Sequence, residues 1–369
     1  MAPEGPPPAL GGFAMMLRRG VNGLLGQLVN EGLLAEEALG PAREAAHAAR
    51  SPTPWFVRAL LGVGAWVSAG VLILFLAVTK LLDGQASLVV LGLLFYAGGV
   101  ALRWAVESDY PVQFSLAAGL AGGTMVLVGV ADGAGQATTI GASLALSLVT
   151  VAVFPDVVMR FIATCGACAA LVLGCHELEL GPDGAVAVIA VLGGLAWHLE
   201  PRLLSSEVLR GVQRPVAWGL VVSLVVLQVS TVMEELDRAF RVGPAASLSV
   251  AVALVVLVLA VAREHHASFT SEPVLVALGA VLVLGAVMLK SPGVLAALYV
   301  AALAFHRRSP LMLGLAILSL AVFLGNFYFR MELTLLLRSV VLLASGALLL
   351  GLREYVRRRF GPFAEEELP

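Results

Sequence analysis

The amino-acid sequence predicts an all-α protein, a polytopic transmembrane helix bundle of about 12 spans with both termini on the cytoplasmic side. Of the 369 residues, 59% are hydrophobic and 13% are charged, whereas soluble domains carry roughly 25% charged residues. The apolar residues form long continuous runs, which predicts helices, because a backbone in lipid must satisfy its own hydrogen bonds. A transmembrane barrel would alternate apolar and polar residues instead. The net charge of −2 gives no indication of nucleic-acid binding.

The run 333–352 shows the pattern clearly. About twenty residues of helix cross a hydrocarbon layer of roughly 30 Å, and an arginine cluster at 353–359 follows. Two other runs, 184–198 and 292–305, reach only about 22 Å; we retain both, because dropping either would invert the spans that follow. The predicted spans are 57–79, 86–102, 112–131, 136–154, 157–175, 184–198, 215–233, 245–262, 273–289, 292–305, 310–327 and 333–352.

The basic residues predict the orientation of these spans. If the N-terminus is cytoplasmic, seventeen of the 23 lysines and arginines fall on the inside. Arg338 lies within a span. Such an excess of basic residues marks the cytoplasmic side, so we expect an N-in, C-in protein of a bacterial inner membrane. The basic residues on the outside are Lys80, Arg238, Arg241, Lys290 and Arg330.

The chain divides into three predicted parts. Residues 1–54 form a cytoplasmic N-terminal segment, 55–353 the transmembrane domain and 354–369 a cytoplasmic tail. Helical spacing of apolar residues over 13–28 and 35–50 predicts a short helical hairpin within the first part. This hairpin packs on itself or on the membrane domain, or lies on the lipid surface as an anchor. A secretory signal is not predicted, because about fifty residues precede the first span.

Prolines and glycines give two further expectations. The prolines are expected at span borders, where a missing N–H is tolerated, and none is expected at mid-span. Gly119 with Gly123, and Gly129 with Gly133, form small-x-x-x-small pairs that predict close contact between helices. The border prolines are Pro111, Pro155, Pro201, Pro215, Pro244, Pro273, Pro292 and Pro310.

Arg338 is the ionisable residue placed clearly inside a span, about 9 Å from its outer boundary. Glu332 points elsewhere around the same helix, so a partner must come from another helix. By depth, the candidate neighbours are Asn326, Gln228 and Asp132. An ionisable residue at such a depth is a candidate functional site. The alternative is a guanidinium that snorkels to the outer interface or serves packing alone.

Cysteines and histidines suggest metal or redox chemistry, but their spacing argues against it. Cys165, Cys168, Cys175 and His176 extend about 16 Å along one helix, too far to share one ion, so we interpret them as small packing residues. His198, the pair His265-His266 and His306 are interpreted as solvated loop histidines. No catalytic, phosphate-binding or metal-binding motif stands in the sequence. We therefore predict no catalytic residue, cofactor or metal, and a protein that is not an enzyme.

Three stretches carry a resemblance to a known family. The first is Leu28-Val29-Asn30-Glu31-Gly32-Leu33-Leu34. The second runs from Pro54-Trp55-Phe56-Val57-Arg58 to Gly62-Val63-Gly64-Ala65-Trp66, and the third from Asn326-Phe327-Tyr328 through Leu335-Leu336-Leu337-Arg338-Ser339 to Ala344-Ser345-Gly346. Together they resemble the bacterial membrane-protein family known as domain of unknown function 4401. The family motif often has a lysine-like residue where this chain has Arg338.

The resemblance implies a multi-pass inner-membrane protein without an established activity. It also implies a candidate partner, a small membrane protein with a Gly-Asp-Tyr motif, besides the lipid bilayer itself. The favoured hypothesis is a non-enzymatic protein that acts with a protein partner in envelope assembly or sensing. The alternative is a secondary transporter of a small solute. Against it stand the missing mid-span prolines and the lack of acidic residues at the bilayer midplane.

Overall fold

The computed structural model describes residues 35, 38–41, 55–106, 108–200, 207–230, 242–289 and 291–330, with six single positions between 339 and 354. These residues are all-α and contain no strand. The predicted N-terminal hairpin, most of the span 333–352 and the tail lie outside them. The helices are α1 (Trp55–Val78), α2 (Gln85–Ala105), α3 (Asp109–Gly133), α4 (Gln136–Val153), α5 (Val157–Glu177), α6 (Gly181–His198), α7 (Glu207–Val229), α8 (Pro244–Glu264), α9 (Glu272–Val287), α10 (Pro292–His306) and α11 (Pro310–Arg330).

Eight of the described helices are long and apolar enough to cross a membrane: α1 to α5, α7, α8 and α11. Large apolar side chains on their outer faces stay exposed, Leu60, Leu94 and Leu318 among them, as expected of surfaces that meet lipid. The chain is therefore a multi-pass membrane protein. The other described helices, α6, α9 and α10, match the remaining predicted runs at 184–198, 273–289 and 292–305, and the total of about 12 spans stays a prediction.

Helix α10 explains how one of the short runs fits. Nearly all of its inner residues are buried, with Leu295, Ala296 and Val300 fully enclosed. It packs against α7, α8 and α11, and the Tyr299 hydroxyl donates a hydrogen bond to the carbonyl of Ala190 on α6 at 2.9 Å. A helix surrounded by protein need not match the thickness of the lipid, so fifteen residues suffice at this position.

Helices α2 and α3 approach each other closely along a line of glycines. A Cβ at Gly99 would lie 2.8 Å from the Ser115 carbonyl oxygen, and one at Gly129 would lie 3.0 Å from that of Gln85. Such distances leave room only for hydrogen. Gly119 faces the rings and side chains of Phe154 and Met159 in the same way. The predicted close contact at Gly119 and Gly129 is confirmed.

The proline expectation is wrong at one position. Pro215 lies inside α7, which begins at Glu207 rather than at the proline. A proline cannot donate to the carbonyl four residues earlier, which here belongs to Gly211. Arg160 Nη1 donates to that carbonyl at 2.8 Å, so a neighbouring helix supplies the missing bond.

The same arginine serves a second proline. Pro155 follows α4 and would leave the carbonyl of Val151 without its usual donor. Arg160 Nε donates to this oxygen at 3.1 Å. One guanidinium of α5 thus satisfies two carbonyls, each four residues before a proline, and fixes α4 and α7 to α5.

Candidate functional site

The predicted site at Arg338 lies outside the described residues, but its three candidate neighbours can be placed. Gln228 is fully buried near the end of α7. Asn326 is half-buried near the end of α11, and both helices pack against α10. Asp132 is exposed at the end of α3, which packs against α1, α2 and α4. The structure thus places Gln228 and Asn326 around α10 and puts Asp132 in a different part of the bundle.

The three cysteines serve as packing residues, as predicted. Cys168 and Cys175 are buried among apolar side chains of α5 and its neighbours, and Cys165 is half-buried. All three thiols are free. Across the described part of the chain, no three histidine, cysteine, aspartate or glutamate side chains are placed to hold a metal ion.

Polar contacts concentrate at one end of the bundle, which we call the basic end. It comprises the helix ends at Arg103, Asp156, Arg160, His198, Glu200, Arg214, Glu264 and Arg307. Arg103 Nε lies 3.5 Å from Asp156 Oδ2, and Arg214 Nε lies 3.6 Å from Glu200 Oε1. These contacts join helix ends that the predicted orientation places together on the cytoplasmic side.

Four side chains form the densest part of the basic end, the Glu264 cluster of His198, Glu264, His306 and Arg307. They come from the carboxyl ends of α6, α8 and α10. Glu264 Oε1 lies 3.2 Å from His198 Nδ1, and Oε2 lies 3.0 Å from His306 Nε2. Arg307 Nη2 lies 3.9 Å from Glu264 Oε1 and donates to the carbonyl of His198 at 3.1 Å. One carboxylate therefore joins the ends of three helices.

Helix electrostatics explain this charge pattern. The carboxyl end of a helix carries a partial negative charge that favours cations, so His198, His306 and Arg307 suit their positions. Glu264 is unfavourable at the end of its own helix α8. It is offset by the three basic groups around it. At the opposite end, Asp183 Oδ1 accepts a hydrogen bond from the Gly243 amide at 2.6 Å, so α6 and α8 are connected at both ends.

The environment of His306 makes its protonation sensitive to the state of the cluster. This residue ends α10, just beyond the apolar run 292–305, and its side chain is only 15% exposed. Burial lowers the pKa of His306, as does the positive charge of Arg307, while Glu264 acts in the opposite direction. The imidazole therefore stays neutral more readily than a solvated histidine.

The interpretation of His198 and His306 as solvated loop histidines is wrong. Both are side chains of helix ends in contact with Glu264, whereas His265 and His266 are exposed. A signal was present in the sequence, because spans 184–198, 245–262 and 292–305 run in the same direction and end in or beside an ionisable residue. That these three helices are neighbours could not be read from their sequences.

A family model decides what the chain is related to. The model described as Domain of unknown function (DUF4401) matches residues 54–359. The chain belongs to the DUF4401 family. The match spans helices α1 to α11, so the Glu264 cluster lies wholly inside the family domain. No curated protein and no solved structure matches the chain.

In this DUF4401 domain, the Glu264 cluster has the chemistry of a charge-dependent contact. His306 is the histidine in it whose protonation the burial of the site changes, because burial lowers its pKa. Protonation of His306 changes the balance between Glu264 and Arg307. The arrangement can therefore strengthen or weaken the junction of α6, α8 and α10 without a metal or a covalent step.

Proposed function

We propose that this DUF4401 protein is a non-enzymatic component of a bacterial inner membrane that acts with a protein partner in envelope assembly or sensing. The Glu264 cluster is the observation that supports the proposal. It joins three helix ends on the side predicted to face the cytoplasm, where a change in protonation or a bound partner can alter their spacing.

The groups around Glu264 define how the cluster responds. At the end of α6, His198 lies against Glu264. At the end of α10, His306 and Arg307 lie against the same carboxylate, and His265, which directly follows Glu264, acts electrostatically on His306. Protonating His306 adds a cation beside Arg307 as well as beside Glu264, so the two effects oppose each other. A partner that presents a charge to the basic end would shift the same balance.

The transporter alternative requires a polar path through the bundle. Three cavities among the described residues have volumes of about 150–350 Å³. Two are lined mainly by apolar side chains, whereas the smallest also carries the hydroxyls of Tyr96, Thr124, Ser143, Ser147 and Thr150. None of the three is lined by an aspartate or glutamate, the residues that usually couple transport to protons or ions. Action through a partner fits this part of the molecule better.

The test is co-purification of the full-length tagged protein from its native membranes after mild solubilisation. We expect a partner in stoichiometric amount, with a small membrane protein bearing a Gly-Asp-Tyr motif as the first candidate. Glu264→Gln keeps the shape of the side chain and removes its charge, so it should reduce recovery of the partner.

Glu177→Gln is the matched control, because Glu177 is exposed at the end of α5 away from the basic end. It should leave recovery unchanged. The proposal is wrong if no stoichiometric partner is recovered, or if the two variants recover it equally. Solute uptake by proteoliposomes that contain the purified protein would instead establish the transporter.

A further inference from the structure

A groove between α6 and α8 opens on the lipid-facing surface and ends at the basic end. It encloses about 170 Å³, and its walls include Val191 and Leu195 of α6 and Val256 and Ala260 of α8. Tyr299 of α10 forms part of the floor, and its hydroxyl is already bonded to the Ala190 carbonyl. Besides Tyr299, His198 is the residue with an ionisable side chain that lines the groove.

The depth of the groove corresponds to one leaflet. Its lining on α8 extends from Val252 to Ala260, which is about 12 Å of helix. A single hydrocarbon leaflet is roughly 15 Å deep, half of the bilayer core. The volume is below the roughly 300–1,000 Å³ of small-molecule pockets. An extended chain that starts at the membrane border therefore fits better than a compact ligand.

The charge at the mouth selects the polar end of the occupant. Arg263 follows Ala260 by one turn of α8 and is exposed, as is Arg308 just after α10. Arg307 contacts Glu264, whose charge is thereby offset within its cluster, while Arg263 and Arg308 stay exposed beside it in the sequence. The excess positive charge favours an anion at the membrane surface.

We propose that the α6–α8 groove binds an anionic phospholipid of the cytoplasmic leaflet, with one acyl chain between α6 and α8 and the phosphate near Arg263 and His198. Acyl chains gain little from leaving lipid for an apolar groove. Selection therefore depends on the headgroup, while the groove fixes the position of the chain.

The test measures thermal unfolding of the full-length protein in detergent with added dioleoyl phosphatidylglycerol or dioleoyl phosphatidylcholine. Native mass spectrometry counts the lipids that remain bound. Phosphatidylglycerol should raise the unfolding temperature and phosphatidylcholine should not. Val191→Trp fills the groove and should abolish the rise in unfolding temperature that phosphatidylglycerol causes. Arg263→Gln should weaken phosphatidylglycerol binding by about fivefold, the effect of one basic residue at an anionic surface.

Val188→Trp is the matched control. Val188 lies one turn from Val191 on α6, the two side chains are 42% and 53% exposed, and Val188 does not line the groove. This variant should keep the full increment, and the unfolding temperature without lipid should be similar in both. Equal increments from the two lipids would overturn the proposal, as would an undiminished increment in Val191→Trp.

Discussion

Replacing Arg160 with alanine should destabilise the bundle far more than loss of an ordinary surface charge. The guanidinium donates to the Gly211 carbonyl at 2.8 Å and to the Val151 carbonyl at 3.1 Å. Proline at positions 215 and 155 removes the backbone donor that each oxygen would otherwise have in a helix. In Arg160→Ala, neither carbonyl retains its donor.

The size of the effect follows from these two bonds. A hydrogen bond to a charged group contributes about 1.5–3 kcal/mol when buried. Arg160 is half-buried at the end of the bundle, where water can replace part of each bond. We therefore expect about 1 kcal/mol for each carbonyl and about 2 kcal/mol in total. Arg214, 68% exposed and 3.6 Å from Glu200, should contribute only about 0–1 kcal/mol.

The assay is equilibrium unfolding in mixed detergent micelles, with Pro215→Ala providing an internal check. That substitution restores an N–H for the Gly211 carbonyl, so it should stabilise Arg160→Ala by about 1 kcal/mol more than it stabilises the wild type. A coupling of zero would refute the assignment of Arg160 as donor to Gly211. Equal losses in Arg160→Ala and Arg214→Ala would refute the larger role of Arg160.

Two further predictions concern the helix contact and the histidine. Gly99→Ala should lower the free energy of unfolding by about 1–3 kcal/mol through overpacking, because its Cβ would lie 2.8 Å from the Ser115 carbonyl oxygen. Gly98→Ala is the control: the new methyl would meet open space, so the substitution should be neutral or stabilising. Equal unfolding free energies for the two variants would contradict this contact. Because burial lowers the pKa of His306, the unfolded chain binds its proton more tightly, so stability should fall as the pH drops below about 6.5. In a pH series of unfolding temperatures, His306→Asn should make this loss of stability less steep. His266→Asn, at an exposed position, should leave it unchanged. A pH dependence unaffected by His306→Asn would contradict the role of the buried His306.

The positions of the helices could be predicted because they depend on local composition. Eleven predicted runs coincide with helices α1 to α11 within a few residues at most ends. The largest difference is at α7, which starts at Glu207 instead of 215. There the sequence places a proline where a helix usually begins, and the carbonyl that it leaves without a donor is satisfied by Arg160 from α5.

The Glu264 cluster could not be predicted, because it depends on contacts between residues that are far apart in the sequence. His198, Glu264 and His306 are separated by more than forty residues in each step of the sequence, and each alone is an ordinary helix-end residue. They form a cluster only because α6 and α10 both pack against α8. The prediction at Arg338 depended on depth within one span, and it stays a prediction.

The choice of basic residue at the two sides of the membrane follows from these contacts. Of the 23 basic residues, only Lys80 and Lys290 are lysines, and both fall on the predicted outer side. A count of positive charges would treat lysine and arginine alike as topology signals. At the basic end, however, Arg160 donates from two nitrogens to two carbonyls, and Arg307 contacts both a carbonyl and a carboxylate. A planar guanidinium with several fixed donors makes such paired contacts, and a single ammonium does not reproduce their geometry. The arginines that are expected to orient the chain in the membrane therefore also hold its helix ends together.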